Sequence, residues 1–145
     1  SIATPLNYLP LEHWRFKMNT AMQIKDYLQG QALVERYQKL KPEDLIYDLE
    51  TIGEETIGLC REIDDLIATP GYSAPKLLDQ LLTQGGVTKK PILLKSGIEI
   101  NVSFTPKLGT PNPLRMSRVN QGIKPTSVQK AEVVKLFDIL NLLLD

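Results

Sequence analysis

Apolar residues recur at steps of three and four through the first 84 positions, switch to a step of two near residue 98, and return to the helical period at the end of the chain. In the first stretch, Trp14, Met18, Ala21, Met22, Leu28, Leu33, Tyr37 and Leu40 make an amphipathic row that predicts helix over 11–40, with Gly30 marking a kink or a split. Pro42, Glu43 and Asp44 then suit a helix start, where a missing N–H and acidic side chains match the positive end of the helix dipole. Leu45, Leu49, Ile52, Thr56, Leu59, Ile63 and Leu66 follow, and Ile46, Gly53, Ile57, Cys60 and Ile67 form a second row beside them. Two rows predict a long helix packed against at least two neighbours, ended by Thr69-Pro70-Gly71. A short helix over 75–83, with Leu77, Leu78, Leu81 and Leu82 inward, stops at Gly85-Gly86.

The period then changes. Ile98-Glu99-Ile100-Asn101-Val102-Ser103-Phe104 alternates without error, as a half-buried strand does, and Ile92-Leu93-Leu94 precedes it across Ser96-Gly97. This predicts one β-hairpin at about residues 91–104 with a two-residue turn. From Thr105 to Pro125 the chain holds four prolines and two glycines, Pro106, Gly109, Pro111, Pro113, Gly122 and Pro125, and reads as a long irregular loop. Thr126-Ser127-Val128-Gln129 fits a capping box that starts a last helix over 126–144, with Val133, Leu136, Phe137, Leu140, Leu143 and Leu144 on its apolar face. The fold class expected is mainly α: a small helical bundle with one β-hairpin and a long Pro-rich loop, in a single domain over 1–145. Helices fill 11–84, the hairpin and basic loop 86–125, and the last helix the remainder.

At 145 residues, 42% hydrophobic and 23% charged, the chain is long enough to bury a core without metals or disulfides. Its one cysteine excludes an internal disulfide and fits a reducing compartment. The first residues lack the basic start and apolar run of a secretory signal, and no stretch reaches the length of a membrane span, so a cytoplasmic location is expected.

Catalytic constellations are missing from the sequence. One histidine and one cysteine cannot make a structural zinc site, so neither metal nor cofactor is expected. Cys60 sits in an apolar row as a small buried hydrophobe, and nothing pairs it with His13 as a nucleophile and base. Glu54, Glu55, Glu62, Asp64 and Asp65 lie mostly opposite the apolar rows and read as a solvated helix face, or as one that docks the basic half of another copy. No phosphate-binding glycine motif occurs. The chain is expected not to be an enzyme.

Charge supplies the one asymmetry. Residues 1–75 carry seven Lys/Arg against twelve Asp/Glu, a net of −5, and residues 76–145 carry ten against five, a net of +5. Between Gly86 and Lys130 eight cations face a single acid, Glu99. Lys89, Lys90, Lys95, Lys107, Arg115, Arg118 and Lys124 are therefore candidate contacts to nucleic-acid backbone, DNA or RNA, since guanidinium and ammonium groups bond phosphate oxygens. Phe104 is the only aromatic in this segment, so base stacking has little support. An apolar last turn, Leu142–Leu144, and the acidic helix face are candidate contacts to other protein subunits, including copies of the chain itself.

In size, helicity and charge pattern the whole chain resembles the small subunits of CRISPR surveillance complexes. That resemblance implies a non-catalytic, all-helical subunit of an antiviral defence assembly that holds nucleic acid by its backbone, and it assigns no individual residue a role. The competing expectation is an adaptor or scaffold subunit whose basic strip meets an acidic protein.

Overall fold

The computed structural model describes residues 20–38, 52–107, 109, 111–120 and 122–144. Four helices and a three-stranded antiparallel sheet account for them: α1 (Thr20–Gln38), α2 (Glu54–Leu66), α3 (Ala74–Leu82), β1 (Ile92–Leu93), β2 (Glu99–Phe104), β3 (Leu114–Arg118) and α4 (Ser127–Leu144). The fold is therefore mixed α/β, not a mainly α bundle with a single hairpin. The correction comes from inside the Pro-rich stretch, where Leu114-Arg115-Met116-Ser117-Arg118 forms a strand that pairs with β2 over its whole length.

The helices follow local chemistry. α1 runs continuously through Gly30. α2 begins only at Glu54, because Gly53 is extended (φ −63°, ψ 159°) and serves as its N-cap. The long helix predicted from Pro42 is thus interrupted at Gly53, and its predicted start lies outside the described residues, as do Leu11–Asn19 of the first one. Glu54 and Glu55 in the first turn of α2 complement the dipole. Its inward row, Ile57, Cys60, Ile63 and Leu66, takes two residues from each of the two predicted rows, while Thr56 and Leu59 are only half-buried. Ile67 turns extended, and the chain folds back through a turn closed by Tyr72 N–H donating to Thr69 O at 3.2 Å. Asp64 of α2 then accepts the first N–H of α3, from Ala74, at 2.6 Å. The capping box of α4 forms in both directions, Thr126 N–H to Gln129 Oε1 at 3.0 Å and Gln129 N–H to Thr126 Oγ1 at 3.1 Å.

β2 is the middle strand. Ile98, Ile100, Val102 and Phe104 are buried as the alternation predicts. They face the helices, with β2 against α3 and β3 against α4. The turn into β2 holds one residue more than predicted. Gly97 N–H donates to Leu94 O and Leu94 N–H to Ile98 O, both at 2.9 Å, and Gly97 takes φ +94°. That is a three-residue loop with the bulge glycine in the left-handed region. Helix α4 holds the turn from below: the Glu132 carboxylate accepts Ser96 N–H, 3.2 Å from either oxygen, and the Ser96 hydroxyl.

The last turn also departs from expectation. Leu143 and Leu144 are buried within the domain, and of the three leucines only Leu142 is exposed. They complete the core and do not serve as a docking end.

Candidate nucleic-acid interface

Residues that pair across a sheet share a face. The register Ser103↔Arg115, Asn101↔Ser117 and Phe104↔Leu114 therefore sends Leu114 and Met116 inward with the core. It puts Arg115 and Ser117 outward beside Ser103 and Asn101. Glu99 is on the same outer face and Val87 extends it, pairing with Ser103 on the other side of β2. Arg115 and Ser117 are exposed, Asn101 and Ser103 half-buried. The outer face is thus a small polar floor with one guanidinium, Arg115, and one carboxylate, Glu99, standing on it.

Lys89 and Lys90 lie on the edge beside β2, on the side of the sheet away from β3. The strand opposite β2 on that side runs in two pieces. Thr88 N–H donates to Val102 O at 3.0 Å and Phe104 N–H to Gly86 O at 2.7 Å, while Ile92 pairs with Ile100. Five steps along the edge from Val87 to Ile92 oppose three along β2, from Ser103 to Ile100. The two extra residues loop outward as a bulge, and Lys89-Lys90-Pro91 are its exposed members. Arg115 and the strand carrying this bulge lie two inter-strand spacings apart, roughly 10 Å.

The bulge also forms one wall of a pocket of about 290 Å³, with Lys89, Lys90 and Pro91 facing Thr69, Tyr72 and Gln80. Tyr72 is half-buried and its hydroxyl donates to Gln80 Oε1 at 2.7 Å, which fixes the ring. Burial pushes its phenol above the usual tyrosine range, so it remains a neutral donor. An aromatic thus stands beside the lysine pair although the basic segment itself has none to offer. Sequence reasoning missed it because it arrives from 17 residues upstream of Lys89.

The other predicted cations sit elsewhere. Lys95 is exposed on the hairpin turn, at the end of the sheet where Arg118 and Lys124 also lie. Arg118, inward by register, is half-buried there and donates from Nη1 to Ile123 O. Lys107 is at the opposite end, exposed, on a groove of about 590 Å³ that Lys25 of α1 also lines. The seven cations therefore make three groups: Arg115 with Lys89 and Lys90, Lys95 with Arg118 and Lys124, and Lys107 with Lys25. Among the described residues, none of the seven is paired with a carboxylate.

Cys60 is buried, and desolvation, followed by the neighbouring Asp64 carboxylate, pushes its thiol up to about 12. At neutral pH it stays protonated, the form that neither attacks carbonyls nor binds metal. His13, the one histidine of the chain, lies outside the described residues. Among the described residues no cluster of three or more His, Cys, Asp or Glu could hold a metal ion. No helix among them is long and apolar enough to cross a membrane.

No known protein family, curated protein or solved structure matches the chain.

Proposed function

We infer that this chain is a non-enzymatic subunit of a nucleoprotein assembly, and that it holds nucleic-acid backbone across the outer sheet face, between Arg115 and the Lys89–Lys90 bulge. The observation that carries the reading is a set of cations that meet no carboxylate among the described residues, Arg115 on a face of hydroxyl and amide side chains (Asn101, Ser103 and Ser117, with Glu99 at its end) and Lys89 and Lys90 on the neighbouring edge. Such groups donate to phosphate and sugar oxygens, which position a strand without reading its bases. Tyr72 beside the lysine pair adds a ring on which an unpaired base can stack. The assembly suggested by the resemblance is a CRISPR surveillance complex, and the working location is the cytoplasm. Since the sheet takes the chain away from the all-helical form of those small subunits, the proposal rests on the charged face and not on the resemblance.

Salt dependence tests it. Three phosphate contacts on a duplex give a slope near −2.7 in log affinity against log salt, so binding should weaken about 40-fold between 50 and 200 mM, and about 20-fold on a single strand. The measurement is fluorescence anisotropy of labelled 30-nucleotide DNA and RNA, single- and double-stranded. Arg115→Glu combined with Lys89→Glu should abolish binding at 50 mM salt while the circular dichroism spectrum stays unchanged. A flat salt titration, or no binding of any of the four probes at 50 mM, refutes the reading. Binding that survives the charge reversals moves the interface off this face.

A further inference from the structure

At the Ile98 end of the sheet, opposite in chemistry to the outer face, an open groove of about 410 Å³ separates the inner side of the strands from α4. Ile98, Ile100 and Met116 line it from the sheet, Val133 and Val134 from the helix. Its cations are Arg118 and Lys130. Val134, which lines the groove, is exposed, and so are Val119 and Ile123 in the stretch that joins the lining residues Arg118 and Pro125. Isolated exposed valines need no explanation, but a group of them around a concave apolar floor marks an interaction site.

Charge selects the occupant. Between residues 118 and 135 stand Arg118, Lys124, Lys130 and Lys135, and the only acid is Glu132. The Glu132 carboxylate is already committed to Ser96, so it does not neutralise the rim. One N–H of Arg118 is spent on Ile123 O, and its remaining donors are available to a carboxylate. We propose that this groove takes an acidic peptide segment of a partner protein, with two or three aliphatic or aromatic side chains in the groove and Asp or Glu against Arg118 and Lys130. Nucleic acid fits the site poorly, since a phosphate backbone would leave Val134 and its neighbours uncovered. A second copy of this chain fits poorly too. Its exposed acids on α2, Glu54, Glu55, Glu62 and Asp65, stand on a helix whose apolar row is buried in its own core.

The groove shares only Ser117 with the nucleic-acid face, and the experiment separates the two. A random 12-residue peptide phage library is panned on the full chain, and the enriched peptides are resynthesised for fluorescence anisotropy. Enrichment of acidic peptides carrying Leu, Ile or Phe is the expected result. Their affinity should fall at least tenfold in Val134→Asp and in Lys130→Glu, both at exposed positions, with folding checked by circular dichroism. Arg115→Glu should leave it unchanged. Enriched peptides that are basic, binding that ignores both groove variants, or a library that yields no specific binder overturns the proposal. So does a concentration-dependent doubling of mass by light scattering that Val134→Asp abolishes, because the occupant is then a second copy.

Discussion

Replacing Gly86 by alanine should be the most damaging small change available in the described part of the chain. Gly86 has φ +77° and is buried where the chain leaves α3 and joins the edge of β2. A Cβ built there lies 2.4 Å from Phe104 O, a backbone atom that cannot rotate away. Its own backbone is held on both sides, its N–H donating to Gln80 O at 3.0 Å and its carbonyl accepting Phe104 N–H at 2.7 Å. The left-handed conformation costs an alanine about 1 kcal/mol. Relieving the clash requires opening at least one of the two hydrogen bonds and leaving a buried group unpaired, about 2–3 kcal/mol more. Reduced entropy of the unfolded chain returns about 0.5 kcal/mol. The net is a loss of about 3 kcal/mol, or roughly 10 °C in melting temperature for a domain of this size.

Gly85 is the internal control. It has φ +95° and nothing within 4 Å of the added Cβ, so Gly85→Ala isolates the conformational cost of about 1 kcal/mol. Urea titrations followed by circular dichroism at 222 nm measure both variants, and the m-value reports whether the native surface has changed. If Gly86→Ala falls within 0.5 kcal/mol of Gly85→Ala, the tight packing of the α3 exit on β2, and the edge pairing derived from it, is wrong.

Two further outcomes follow from the same geometry. Glu132→Ala removes the acceptor for both Ser96 donors, so stability should drop about 1–2 kcal/mol, with amide exchange quickening at Ser96 and Gly97 first; exchange that quickens uniformly along the chain would show that α4 does not hold the turn. Cys60 gives a pH dependence: its folded pKa is raised to about 12, so above roughly pH 8.5 the unfolded chain releases a proton that the folded chain keeps, and stability must fall as pH rises. The slope from this one group approaches about 1.4 kcal/mol per pH unit, with no contribution below pH 8. Urea midpoints between pH 7.5 and 9.8 should therefore decline more steeply in the wild type than in Cys60→Ala, and equal slopes would refute the buried thiol as the cause. Tyr72, also raised by burial, adds a loss of the same sign above about pH 10.

What the sequence makes legible is what neighbours in the chain decide. The strict alternation of β2 and the reciprocal cap at Thr126 and Gln129 are local patterns, and each appears in place. The edge formed by Gly86–Thr88 is not legible, because what holds it to β2 is mainly backbone hydrogen bonds, to which side-chain periodicity is blind. The meeting of Tyr72 with Lys89 and Lys90 depends on the return of the chain through α3, about which composition says nothing. β3 is the instructive miss. Its signal was present, apolar at Leu114 and Met116 and polar at Arg115 and Ser117, but Pro111 and Pro113 precede it and the third inward position is Arg118. That arginine is tolerated because it stands at the end of the sheet, where its guanidinium reaches out to Ile123 O.

The consequence for function is geometric. Arg115 and Arg118 are three residues apart, which on a helix would bring them to one face and on a loop would leave them free to act together. On a strand an odd separation sends them to opposite faces. One arginine stands on the polar outer floor; the other joins Lys130 over an apolar groove. A single run of basic residues in the chain thereby becomes two surfaces of unlike chemistry. Charge reversal at Arg115 and at Arg118 should accordingly act on different ligands, so that each variant keeps the binding that the other loses.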